Sequence, residues 1–117
     1  MRLIRAECLL RQATPDAATA QTIIDGVLKQ NPATDPLGLG ANISAGYTGA
    51  SDVATLLTEV YRNRCIEMYL FGLKIEDSRR FNRPAAGTPN AERSRNFYPY
   101  PQQERDGNPN TPDDPTL

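Results

Sequence analysis

The sequence predicts an all-α protein with a long proline-rich ending. Apolar residues recur at three- and four-residue steps in several stretches, which is the spacing of one helix face. No stretch of any length alternates apolar and polar residues as a half-buried strand does. The chain has 117 residues, 38% of them hydrophobic, so we predict a single domain over residues 1–117 with a small core.

The first predicted element is a helix hairpin over residues 2–30, whose first helix ends at about Gln12. Thr14 is the predicted N-cap of the second helix, because Pro15 would then occupy the first helical position, which tolerates a missing N–H group. The second helix ends at about Gln30, and its predicted apolar face consists of Ala17, Ala20, Ile23, Ile24, Val27 and Leu28.

Residues 31–50 are rich in Gly, Pro, Asn and Ala without a period, which predicts a long loop. A long helix follows over about Ser51 to Leu70, with Ser51 as its N-cap. Gly72 interrupts this helix, and a short helix completes the segment 51–81. The residues that recur at helical steps here are Val53, Leu56, Leu57, Val60, Tyr61, Arg64, Met68 and Phe71.

Residues 82–117 are predicted to form an irregular strap, because proline and other turn residues occur throughout them. A disordered tail does not need Phe97, Tyr98 and Tyr100, whereas a folded core would not contain so many prolines. We therefore predict that this segment is ordered and lies over the helical body.

The net charge of −1 does not indicate a nucleic acid or an anionic membrane as the partner. The charge is uneven, since residues 57–95 carry eight Lys and Arg against five Asp and Glu, while residues 96–117 carry one against four. Either the acidic ending folds back on a basic body, or both are solvated surfaces.

The two cysteines, Cys8 and Cys65, are far apart in sequence, which excludes a CxxC motif and a disulfide-dense framework. Both lie among apolar residues, so we predict two buried free thiols. A single bridge between them is the alternative.

The chain contains no histidine, which removes the commonest general base and the usual nucleophile pairs. The carboxylates among residues 59–77 are interpreted as partners in helix-supporting ion pairs, namely Arg64 with Glu67 and Asp77 with Arg80. We predict that the protein is not an enzyme and has no catalytic, cofactor-binding or metal-binding residues.

Tyr47 is the aromatic residue of the glycine-rich loop. Its ring could stack on a sugar or a partner, or it could fix its own loop in place. The second interpretation is favoured, and Tyr47 is kept as the candidate for a ligand or partner contact.

No stretch is apolar enough to cross a membrane, and the start does not have the pattern of a signal peptide. A helix that begins at residue 2 without a capping side chain suggests a chain cut from a longer parent. A frayed terminus would explain the same start.

Three stretches in order, "RLIRAECLLRQ", "NRCIEMYLFGLKIEDSRRF" and "FYPYPQQERDGNPN", resemble the C-terminal part of the SusD/RagB family. Members of that family are surface lipoproteins that capture nutrients, chiefly glycans, at the outer membrane of Bacteroidetes-like bacteria. The positions that match the family pattern are Arg2, Ala6, Glu7, Arg64, Glu67, Gly72, Lys74, Asp77, Arg80, Pro99, Pro101, Glu104, Asn108 and Pro109.

The chain departs from that pattern at Asn63 and Phe71, where the family usually has Glu, and in its last four residues. The first two departures remove acids that could pair with Arg64 or Lys74.

The resemblance implies a tetratricopeptide-like helix pair over residues 2–30 and a closing role for the proline-rich strap. It also implies that the parent protein binds an oligosaccharide at the cell surface and works with a SusC-like TonB-dependent transporter, without a cofactor. The family's lipid anchor and most of its ligand contacts lie outside the matched part. The matched segment is therefore expected to be mainly scaffold, and soluble by itself. The alternative is a stand-alone helical-repeat adaptor that binds another protein.

Overall fold

The computed structural model describes residues 1–36, 38, 40–69 and 71–113. These residues form α-helices and no β-strand, which confirms the all-α prediction. The helices are α1 (Arg2–Leu10), α2 (Ala17–Leu28), α3 (Val53–Glu67), α4 (Lys74–Arg80) and α5 (Gln102–Gly107). The chain divides into two compact units, Met1–Tyr69 and Leu70–Leu117.

The first unit is a three-helix assembly in which α1, α2 and α3 each contact the other two. A helix as short as α1 is marginal by itself in water, so its stability depends on this packing. Leu10, Ile24, Leu56 and Val60 are the largest fully buried side chains of the unit. The buried apolar residues of the three helices are Leu3, Ala6, Leu10, Ala20, Ile24, Leu28, Leu56, Val60 and Tyr61.

Two aspartates cap the longer helices of this unit. Asp16 accepts a 3.0 Å hydrogen bond from the backbone N–H of Thr19, and Asp52 accepts one of 2.9 Å from Thr55. These bonds satisfy N–H groups that have no partner inside the helix.

The caps predicted at Thr14 and Ser51 are therefore wrong, each by one or two residues. In both cases an Asp follows closely, and its carboxylate oxygen reaches the third helical N–H group. As a consequence Pro15 lies before the cap and outside α2.

The long helix α3 ends at Glu67, which is earlier than the sequence predicted. The predicted last residue, Leu70, lies outside the described residues. Phe71 does not belong to an apolar helix face, since 70% of its surface is exposed. Gly72 has a φ of 74°, a left-handed conformation that favours glycine and that no helix can continue.

The second unit contains α4 and α5 and has a polar centre. Its buried residues among those described are Asp77, Ser78 and Ala86. The helix α5 corrects the prediction that residues 82–117 are irregular throughout. Pro101 directly precedes α5, where proline is compatible with a helix start, and its carbonyl oxygen accepts hydrogen bonds from Glu104 and Arg105.

Both cysteines are thiols, but the prediction that they are buried is wrong. Cys8 is exposed and Cys65 is half-buried. Cys8 lies two residues from both Ala6 and Leu10, which is about 200° around the helix from each. Because Ala6 and Leu10 face the core, Cys8 faces away from it.

Candidate functional site

The buried charged residues of the described chain are Glu7 in α1, Arg64 in α3 and Asp77 in α4. Burying a charge is costly unless the charge is paired and hydrogen-bonded, so these positions point to specific partners.

Each of the two carboxylates binds an arginine close to it in sequence, Glu7 one at the C-cap of α1 and Asp77 one within α4. The Arg11 Nε atom donates a 2.8 Å hydrogen bond to Glu7 Oε1, and Arg80 Nη2 donates one of 2.8 Å to Asp77 Oδ1. Both arginines stay partly in solvent, since 44% of each side chain is exposed. The predicted pair of Asp77 and Arg80 is therefore present, and Arg80 also stacks 4.9 Å from the centre of the Phe81 ring.

The other predicted pair joins residues in different environments. Arg64 is buried with 7% of its surface exposed, whereas Glu67 is exposed. The prediction that they pair stays a prediction.

The stretch "FYPYPQQERDGNPN" contains the short helix α5, and a side-chain hydrogen bond links two of its matched positions. Glu104 Oε1 accepts a 2.7 Å hydrogen bond from Asn108 Nδ2, and the Glu104 carbonyl oxygen accepts one from the Asn108 backbone. The spacing of four residues between these two motif positions is therefore the spacing of one helical turn. Pro99, Pro101 and Pro109 are all exposed beside it.

Gly72 accepts a hydrogen bond from an aromatic residue of the segment 82–117. The Tyr98 hydroxyl donates a short hydrogen bond to the Gly72 carbonyl oxygen. Nearby, the Arg79 guanidinium lies 6.0 Å from the centre of the Phe97 ring. The rings nevertheless remain largely in solvent, since 49% of Phe97 and 54% of Tyr98 are exposed.

A polar network centred on Arg93 organises the second unit, and the sequence did not single it out. Arg93 donates hydrogen bonds to Asn96 Oδ1, to Ser78 Oγ and to the Arg83 carbonyl oxygen, at 3.1, 3.2 and 3.1 Å. Asn96 Oδ1 also accepts a bond from the backbone of Ala86. No sequence motif marks this network, because its members are up to 18 residues apart, from Ser78 to Asn96.

Two salt bridges to Glu92 lie beside the Arg93 network. Glu92 forms one salt bridge with Arg83, with 2.5 Å between Oε1 and Nη2, and a second with Lys74, with 3.9 Å between Oε2 and Nζ. Lys74 is thus placed against an acid that comes later in the chain than α4.

Tyr47 fixes its own loop. Its hydroxyl donates a 2.8 Å hydrogen bond to the Ala50 carbonyl oxygen, and its backbone N–H donates one of 2.6 Å to Asp25 Oδ1 of α2. Burial raises the pKa of the Tyr47 hydroxyl, and the charges of Glu59 and Asp52 add to this.

The loop that carries Tyr47 runs back along α2. The backbone N–H groups of Asn42 and Ile43 donate to the carbonyl oxygens of Gln30 and Leu28, at 2.9 and 2.8 Å. Further on, Ser51 Oγ donates to Gln21 Oε1 at 2.8 Å. These bonds, with the one to Asp25, define the α2 latch, which consists of residues 42–51 and their partners on α2 and at Gln30, which follows the C-cap of that helix.

The described residues contain no group of three or more His, Cys, Asp and Glu side chains that could hold a metal ion. None of the helices described above combines the length and the apolar character that a membrane crossing requires. No protein-family model, curated protein or solved structure matches the chain.

Proposed function

We propose that this chain is the scaffold part of a SusD/RagB-like lipoprotein that captures nutrients at the outer-membrane surface. The parent protein binds an oligosaccharide and passes it to a SusC-like TonB-dependent transporter. The function is binding and handover, with no chemical change to the ligand. The membrane is reached only through the lipid anchor of the parent protein.

The observation that carries this proposal is the burial of charge at motif positions. Glu7, Arg64 and Asp77 all match the family pattern, and they are the buried charged residues of the described chain. A sequence keeps a buried charge only where specific partners compensate for lost hydration. Motif residues that are buried and paired act as scaffold, which is what the resemblance implies for this segment.

Three further motif positions, Gly72, Glu104 and Asn108, support the same interpretation. Gly72 has the left-handed conformation that favours glycine, so the backbone conformation explains why glycine occupies this motif position. Glu104 and Asn108 bind each other across one turn of α5. Tyr47, the candidate for a ligand or partner contact, donates its hydroxyl to the Ala50 carbonyl oxygen of its own loop, and the contact of its ring with a ligand or partner stays a prediction.

An antiserum raised against the chain tests the proposal in cells of the source organism. We expect the antigen in the outer-membrane fraction, on a protein longer than this chain that surface protease removes from intact cells. Precipitation after mild detergent extraction should bring down a TonB-dependent transporter, identified by mass spectrometry. An antigen that fractionates away from the outer membrane and precipitates without such a transporter would refute the proposal.

A second candidate is a stand-alone helical adaptor that binds another protein. It is favoured by one observation, namely that α1, α2 and α3 bury an apolar core of their own. The adaptor predicts a stable monomer at all concentrations in sedimentation experiments. The scaffold proposal predicts self-association or marginal stability, because surfaces that meet the rest of the parent would be bare.

A further inference from the structure

We draw no further inference here: the strongest candidate, the exposed aromatic patch of Phe71, Phe97 and Tyr98 beside α4 in the second unit, is an unpartnered apolar face, and nothing in the structure shows what covers it.

Discussion

The carboxylate of Asp25 accepts a 2.6 Å hydrogen bond from the backbone N–H of Tyr47, which lies 22 residues further along the chain. This contact fastens the middle of the α2 latch to the helix. Gly46, directly before Tyr47, is buried and has a φ of 69°, so the chain turns there close to the Asp25 side chain. The latch therefore depends on one acid and one glycine that no short motif connects.

Replacing Asp25 by Ala should release the middle of the latch. A hydrogen bond to a charged group contributes about 1.5 kcal/mol or more, so the variant should lose about that much free energy of unfolding in urea titrations. The Tyr47 amide should also exchange its hydrogen faster than in the unsubstituted chain. Asp25→Asn keeps an acceptor oxygen and should lose less. If the Asp25→Ala chain were as stable as the unsubstituted chain and its Tyr47 amide remained protected, the role of Asp25 in the α2 latch would be contradicted.

The two helix caps predict a dependence of stability on pH. Hydrogen bonds from the backbone and the hydroxyl of Thr19 lower the pKa of Asp16, and those of Thr55 lower the pKa of Asp52. A carboxyl with a lower pKa in the folded state stabilises the fold above its unfolded value of 3.8, and this stability is lost as the pH falls through the folded value. The free energy of unfolding should therefore decrease below about pH 4.

Asn variants isolate this effect. Asp16→Asn and Asp52→Asn keep a capping oxygen but do not titrate, so each should reduce the loss between pH 5 and pH 2 in parallel urea titrations. The corresponding Ala variants should be less stable already at neutral pH. An unchanged acid loss in the doubly substituted Asn chain would show that other groups cause it.

Gly72→Ala should destabilise the chain although nothing lies within 4 Å of the added Cβ atom. A residue with a side chain is about 1–2 kcal/mol less stable than glycine in the left-handed conformation, so the free energy of unfolding should fall by about that much. Gly107→Ala is the matched control, because Gly107 ends α5 without a positive φ. Thermal unfolding should separate the two variants, and equal melting temperatures would argue against strain at Gly72.

Arg93→Met should loosen the second unit. The substitution removes three hydrogen bonds, which at about 1 kcal/mol each makes a loss of about 2–3 kcal/mol. Arg95→Met is the control, since Arg95 is exposed two residues away. Limited proteolysis should cut the Arg93 variant earlier within residues 82–96. Equal cleavage of both variants would mean that the unit does not depend on the Arg93 network.

Cys8 should react with iodoacetamide in the folded chain faster than Cys65, because Cys8 is exposed and Cys65 is half-buried. Mass spectrometry of tryptic peptides at early times should find the label mainly on Cys8. In Cys8→Ser, rapid labelling should disappear. Resistance of both residues until a reductant is added would instead indicate a disulfide.

The sequence predicted the fold class and the three longer helices, since apolar residues at helical spacing determine which faces are buried. It placed the caps wrongly, because Thr14 and Ser51 are also good capping residues and each lies close before an Asp. The sequence analysis missed α5, because Pro99 and Pro101 indicate irregular structure. Proline is nevertheless compatible with the start of a helix, and Pro101 directly precedes α5.

The candidate site was predictable only in part. The pair of Asp77 and Arg80 is local, so its spacing revealed it. The contact between Asp25 and Tyr47 and the Arg93 network join residues that are distant in sequence. Such contacts depend on how the loops fold, and no periodicity in the sequence encodes them.

The α2 latch also limits where the length of this chain can vary. Ile43, Tyr47 and Ser51 follow each other at four-residue steps, and their partners step back along α2 by about one turn each time. Four extended residues span about 13 Å, whereas one helical turn advances only about 5.4 Å, so this stretch is compacted to match the pitch of the helix. An added or deleted residue here would put every later contact out of register. Insertions during evolution should therefore be rare within residues 42–51.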